Sequence, residues 1–262
     1  MRTGVLSRAR QHWRPGAERP AGQRRWLRRS LQVAGGVLIV VVVIAGVVLA
    51  ITPSVGNAWS VARAEARSHG SAFPGPAVPR KFSEALIATE DHRFGSEPGI
   101  DPFAAARVLL SKLTGGGDQG GATIYQQLAK LLYTPDRGGI PTEIEQIALA
   151  IKLNYRFSDE QILRMYSAVA YFGHGFYGLE TASCGYFGRQ PGKLTWAQAA
   201  VLAGLVQAPS DYDPLSFPNP SRAREEHVIA RLVATGKLTA AQATAALAAP
   251  ITTLTRGAGG CS

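Results

Sequence analysis

Glu90-Asp91-His92-Arg93-Phe94-Gly95-Ser96-Glu97-Pro98-Gly99-Ile100-Asp101 and, about thirty residues on, Gly120-Gly121-Ala122-Thr123-Ile124-Tyr125-Gln126-Gln127-Leu128-Ala129-Lys130 are the stretches that decide how this chain reads. The first follows Leu86-Ile87-Ala88-Thr89, so an apolar helix delivers Glu90. Partial burial there would raise its pKa toward the range of a general base. A lone Glu in such a place is more often a surface residue or the partner of an arginine. Its neighbours alter that balance, because the second stretch is led by glycine, rich in amides and closed by Lys130, a point charge suited to a diphosphate.

Outward from these stretches the pattern is helical. Apolar residues recur at helical spacing through Ile144, Ile147, Leu149, Ile151 and Leu153. Further helices are expected at Phe82–Thr89, from Pro102 through Phe103 to Leu113, from Ser158 to about Phe172, and at Gly178–Phe187, Thr195–Gln207, Pro220–Thr235 and Thr239–Ala248. No alternating strands and no internal repeats stand out, so the fold class is all-α and a solenoid is unsupported. About 170 residues, 81–250, suffice for one domain. Residues 53–80 read as a juxtamembrane linker, with Pro74, Pro76 and Pro79 forbidding a long helix, and 251–262 as a tail. Cys184 lies in a small-residue run and Cys261 in a glycine-rich tail; two cysteines permit a bridge, but a packed, unbridged Cys184 is the expectation.

Val33–Ile51 carries no charge and, at 1.5 Å per residue, spans about 28 Å, so residues 33–52 are expected to form a single transmembrane helix. Gly56-Asn57-Ala58 would serve as a signal-peptide cleavage site, but the apolar run exceeds the roughly 7 to 15 residues of such a core. The arm before it, residues 1–32, holds nine arginines against Glu18 alone and so supplies most of the formal net charge of +10. By the positive-inside rule the arm is cytoplasmic and the domain extracytoplasmic. Because the remainder is only slightly basic, topology and anionic headgroups explain the arm better than nucleic acid does. Pro15, Gly16, Pro20 and Gly22 argue that the arm is disordered.

The two opening stretches resemble the first signature motifs of glycosyltransferase family 51, which polymerises the lipid-linked disaccharide of bacterial peptidoglycan. The pattern Glu-Asp-x-x-Phe-x-x-His-x-Gly is met by Glu90, Asp91, Phe94 and Gly99, with Glu97 for the histidine. Gly-Gly-Ser-Thr-Ile-Thr-Gln-Gln-Leu-x-Lys is met with Ala122 and Tyr125 as departures. Tyr171–Ala182 with Tyr186–Gly188, and Leu202–Ser210, are similar to later motifs. The resemblance implies a lysozyme-like all-α glycosyltransferase domain, with Glu90 as catalytic base and Asp91 as its structural companion. Asp91, Phe94, Gly121, Thr123, Gln126, Gln127, Lys130, Arg137 and Glu180 are the positions it assigns to substrate binding. It also implies that the apolar helix from Phe103 to Leu113 dips into the outer leaflet.

A third motif, Arg-Lys-x-x-Glu, falls by ungapped match on Thr142, Glu143 and Gln146, and Ala168 replaces an expected asparagine. Glu145 lies one residue from the missing carboxylate, a turn of about 100° on a helix. No transpeptidase signature follows, so a monofunctional polymerase of the bacterial cell membrane is the leading expectation. A binding scaffold that has lost its chemistry and a lytic enzyme with Glu90 as general acid are the alternatives. The expected partners are the lipid-linked disaccharide-peptide precursor, the glycan strand and the membrane, with other cell-wall synthesis proteins open and no nucleic acid. No cofactor is required by this reading, and a divalent metal is left open.

Overall fold

A computed structural model describes residues 21–73, 77–99, 122–254 and 261. The chain divides after Ala50 into two units. The first, residues 1–50, holds all but the last residue of helix α1, Ala21–Ile51, whose stretch Ser30–Ile51 has mean hydropathy 3.0 over 22 residues and buries none of its most apolar window. That stretch is about 33 Å long, enough by length and composition to cross a bilayer. Residues 21–32 of the arm, expected to be disordered, are helical instead: past Pro20 the run of Gln, Arg, Trp and Leu favours a helix continuous with the apolar segment. The arm's first 20 residues lie outside the described ones.

The second unit is all-α among the described residues apart from one isolated bridge between Tyr171 and Tyr177. Its first helix, α2 (Ala58–Ser68), occupies the stretch read as an irregular lead-in. Ala58, Ala62 and Ala66 recur every four residues and are all buried, and the prolines that discouraged a helix lie after its end. Next comes α3 (Arg80–Glu90), which buries Phe82, Ala85, Leu86 and Ala88 and ends at Asp91. The expected helix at 103–113 lies outside the described residues.

Four later helices begin with capping boxes, each a Thr or Ser whose side chain takes the amide of a Gln three residues on while that Gln returns the bond. They are α4 (Ile124–Tyr133), α6 (Asp159–Val169), α8 (Trp196–Leu205) and α10 (Ala240–Ala248). Between them lie α5 (Ile140–Arg156), α7 (Leu179–Phe187) and α9 (Pro218–Ala234). Helix α6 stops short of the expected Phe172 because Ala170 is extended and the chain turns back through Gly173 to pair Tyr171 with Tyr177.

Helix α8 is apolar all round and buries every residue from Ala197 to Leu205, so it sits in the middle of the core. Against it pack α3 and α9, which also touch each other; α4 pairs with α5, and α2 lies on α6. This arrangement brings the last turn of α3 to the first turn of α4 and to the side of α9.

Cys184 and Cys261 form a disulfide, against the expectation of a packed free thiol. The C-terminal tail returns to α7: Leu254 donates its amide to the Tyr186 carbonyl at 2.8 Å and rests on Gly188, and the two cysteine Cα atoms stand 4.9 Å apart. Local sequence around either cysteine carries no sign of that return.

Candidate active site

Glu90 closes α3 and is only 11 % exposed. Its Oε1 accepts a hydrogen bond from Arg224 Nη2 at 3.1 Å, and its Oε2 accepts one from Gln127 Nε2 at 3.1 Å. Burial pushes the Glu90 carboxyl above its ordinary range; the Gln127 bond and the Arg224 charge pull it down but do not cancel the desolvation, and the Asp91 charge adds a little upward. The result is a carboxylate held by two donors with an enhanced affinity for a proton. That is what a general base requires.

The orientation of Gln127 is fixed from behind. Buried Tyr166, on α6, donates its hydroxyl to Gln127 Oε1 at 2.7 Å, which leaves the amide nitrogen to face Glu90 and, at 3.4 Å, the Ala122 carbonyl. Arg224 comes from α9, with its stem passing beside Gly204 so closely that a Cβ there would lie 2.7 Å from Arg224 Cγ. Its guanidinium lies 5.7 Å from the Tyr212 ring centroid and donates Nε to the Gly204 carbonyl at 3.3 Å. Neither Arg224 nor Tyr166 was singled out from sequence. Arg224 lies 134 residues from Glu90, and no local pattern joins them.

Asp91 ties α3 to α4, its Oδ2 accepting the Ile124 amide at 3.0 Å, where the helix N-terminus favours negative charge. Burial nonetheless holds Asp91 above the usual carboxylate range. Phe94 stacks on Tyr125 with ring centroids 4.9 Å apart. Thr123 and Gln126 form the capping box of α4, and Thr123 also donates its hydroxyl to the Gly99 carbonyl at 2.8 Å. Gly99 has φ +80°, and a Cβ there would lie 2.6 Å from the Ala150 carbonyl, so this loop closes on α5 only with glycine.

Lys130 lies one turn beyond Gln127 on the same side of α4 and is exposed, its ammonium without a hydrogen bond or ion pair among the described residues. Arg137 follows the turn after α4 and pairs at 2.7 Å with Glu145, the acid one residue away from the position expected for it. Gln146 instead donates to Thr134 Oγ1 at 2.8 Å, and Thr142 is buried with its hydroxyl on the Gly138 carbonyl. Glu180 is placed elsewhere: it lines a cavity of about 40 Å³ with Ser71, Pro79 and Arg164, and Pro79 precedes the end of α3 opposite Glu90. Gly121 lies outside the described residues. Among the described residues no three His, Cys, Asp or Glu side chains converge as a metal site.

Glu90 at the end of α3 thus meets Gln127 on α4, with Lys130 one turn on and Arg137 just past that helix. A transglycosylase family model matches residues 59–233. Penicillin-binding protein 2a of Streptococcus pneumoniae serotype 2 (strain D39 / NCTC 7466) is 38 % identical over 169 residues, 64 % of this chain and 23 % of that protein. Penicillin-binding protein 1F of Bacillus subtilis (strain 168) is 35 % identical over 170 residues, 64 % of this chain and 24 % of its own. The crystal structure of penicillin-binding protein 1A from Haemophilus influenzae overlaps with a TM-score of 0.36 at 25 % identity, covering 50 % of this chain and 16 % of that one. The chain spans about a quarter of the length of the curated relatives it matches.

Proposed function

Because this chain belongs to the transglycosylase family, the glycosyltransferase family 51 domain of class A penicillin-binding proteins, we propose that it polymerises lipid-linked disaccharide-peptide into glycan strands. The observation that carries the reading is the buried Glu90 held between Gln127 and Arg224. Glu90 takes the proton from the attacking sugar hydroxyl, while Lys130 and Arg137 stabilise the departing diphosphate. The apolar stretch Ser30–Ile51 is read as a retained anchor, with the arginine-rich arm in the cytoplasm and the catalytic unit outside.

The test is polymer formation by the detergent-solubilised full chain supplied with lipid-linked disaccharide. Wild type makes polymer, and Glu90→Gln, nearly isosteric but unable to take a proton, makes almost none while still binding precursor. Retained turnover in the variant overturns the role of Glu90. The Arg137–Glu145 pair, together with Thr142, Glu143 and Gln146 in place of two cations and a carboxylate, favours a second reading as a precursor-binding scaffold. In that case wild type binds without polymerising. Cleavage of preformed strands would mark the lytic alternative.

A further inference from the structure

The loop between α6 and α7 turns through Gly173, His174 and Gly175, whose φ values are all positive at +81°, +52° and +79°. Glycine takes such a backbone freely, but a histidine there is uncommon and persists only where surrounding contacts hold it. Those contacts come from the segment that leads into α9. A Cβ on Gly173 would stand 2.5 Å from the Pro209 carbonyl oxygen, so the loop seats directly on that segment. His174 Nδ1 lies 3.2 Å from Asp213 Oδ2, and its ring packs beside Phe176 and Tyr186, with centroids 5.6 and 6.4 Å away.

Asp213 is a junction. It is buried, and its Oδ2 also accepts the Ser216 hydroxyl at 2.8 Å while its Oδ1 accepts the Leu215 amide at 2.9 Å. Its carbonyl accepts the Phe217 amide at 2.7 Å, one residue before α9 begins at Pro218. Burial by itself would raise the Asp213 carboxyl, but the bonds from Leu215, Ser216 and His174 outweigh it and hold the carboxyl below its ordinary range. Asp213 is therefore ionised, and its link to His174 has the strength of a charge-assisted bond. On one side of this junction the adjoining Tyr212 ring lies 5.7 Å from the Arg224 guanidinium, and on the other α9 carries Arg224 within its first two turns. Both routes end at the guanidinium that holds Glu90 at 3.1 Å.

We propose that His174 is a positioning residue for Glu90: its imidazole pins Asp213 and thereby sets Tyr212 and the first turns of α9, so that Arg224 meets the carboxylate. The left-handed backbone at His174 aims the ring at Asp213, which is why a residue other than glycine stands between two glycines.

This role rests on Glu90 being the base, and the test separates the two. In the detergent-solubilised full chain, His174→Gly removes the imidazole while accepting the positive φ. His174→Asn restores a donor, since asparagine tolerates the left-handed region and its Nδ2 takes the place of the ring Nδ1. The carbon-13 titration of the Glu90 carboxyl is read beside the pH dependence of kcat and KM for lipid-linked disaccharide. In His174→Gly the loosened Arg224 should raise the proton affinity of Glu90 by roughly two- to tenfold, and His174→Asn should return it most of the way. Asp213→Asn weakens the same link from its other end and should move the titration in the same direction. The acidic limb of kcat should follow, with KM little changed. Loss of a merely structural contact would lower the melting temperature and leave the titration in place. An unmoved Glu90 titration in folded His174→Gly and Asp213→Asn overturns the role, and so does a shift that His174→Asn fails to reverse, which would place the effect in the backbone. A titration that moves while the rate limb stays fixed upholds the hold of His174 on Glu90 and removes Glu90 as the base.

Discussion

Replacing Arg224 by methionine removes the guanidinium 3.1 Å from Glu90 while keeping an unbranched stem against Gly204 and Tyr212. Both side chains of the pair are little exposed, 12 % for Arg224 and 11 % for Glu90, so water screens the contact weakly. A charge-assisted hydrogen bond of this kind is worth about 1.5–3 kcal/mol. Arg224 favours ionised Glu90, so its loss should raise the proton affinity of the carboxylate between roughly tenfold and a hundredfold. Two measurements read this. The carbon-13 titration of the Glu90 carboxyl, assigned by its disappearance in Glu90→Gln, should move to higher pH. The acidic limb of the polymerisation rate should move the same way, so that raising the pH recovers activity. An unmoved carboxyl titration would refute the electrostatic coupling of Arg224 to Glu90. A carboxyl titration that moves while the rate limb stays fixed would refute Glu90 as the base.

Burial raises the Glu90 pKa in the fold above its ordinary value of 4.5, so ionising it costs stability that is retained below 4.5 and lost as pH rises through the folded value. Glu90→Gln should therefore melt above wild type at pH 7, with the difference vanishing in thermal scans below pH 4.5. Joint replacement of Cys184 and Cys261 by serine opens a bridge across 77 residues and should lower stability by about 2–4 kcal/mol in denaturant melts, an effect mimicked by reductant on wild type. Glu143→Lys, in the first turn of α5 beside the Arg137–Glu145 pair, should tighten binding of the lipid-linked diphosphate by a few-fold at low salt and by less at high salt. Thr142→Arg should tighten binding less, because Thr142 is buried and a guanidinium there would lack water.

The all-helical fold was legible in the sequence because helices announce themselves locally. Apolar residues at 3.6-residue spacing and the boxes beginning at Ser158, Thr195 and Thr239 mark where helices start and which face they bury. Two helices escaped for local reasons: α2 shows only small alanines to the core, and α4 reads first as a run of amides and a lysine. The stretches at Glu90 and Gln127 were legible as residues, and the order of amide and cation along α4 follows from the spacing of Gln127 and Lys130 on one helix.

Sequence by itself thus determined the class of the fold, the apolar helix and the carboxylate proposed as the base, since each depends on residues within a few turns of one another. Only the tertiary structure decided which groups surround that carboxylate. Arg224, Tyr166 and the bridge from Cys184 to Cys261 come from distant parts of the chain, as does the contact of Lys152 with Thr52 and Pro53. Thr123, Gln126 and Glu180, assigned by motif to substrate, stand in the structure as two capping residues and one wall of a separate cavity. The physical reason is common to all of these. A cap or an apolar face is set by neighbours at fixed helical spacing, whereas an ion pair, a bridge or a burial-raised pKa depends on how helices far apart in sequence pack, and no local pattern encodes that distance.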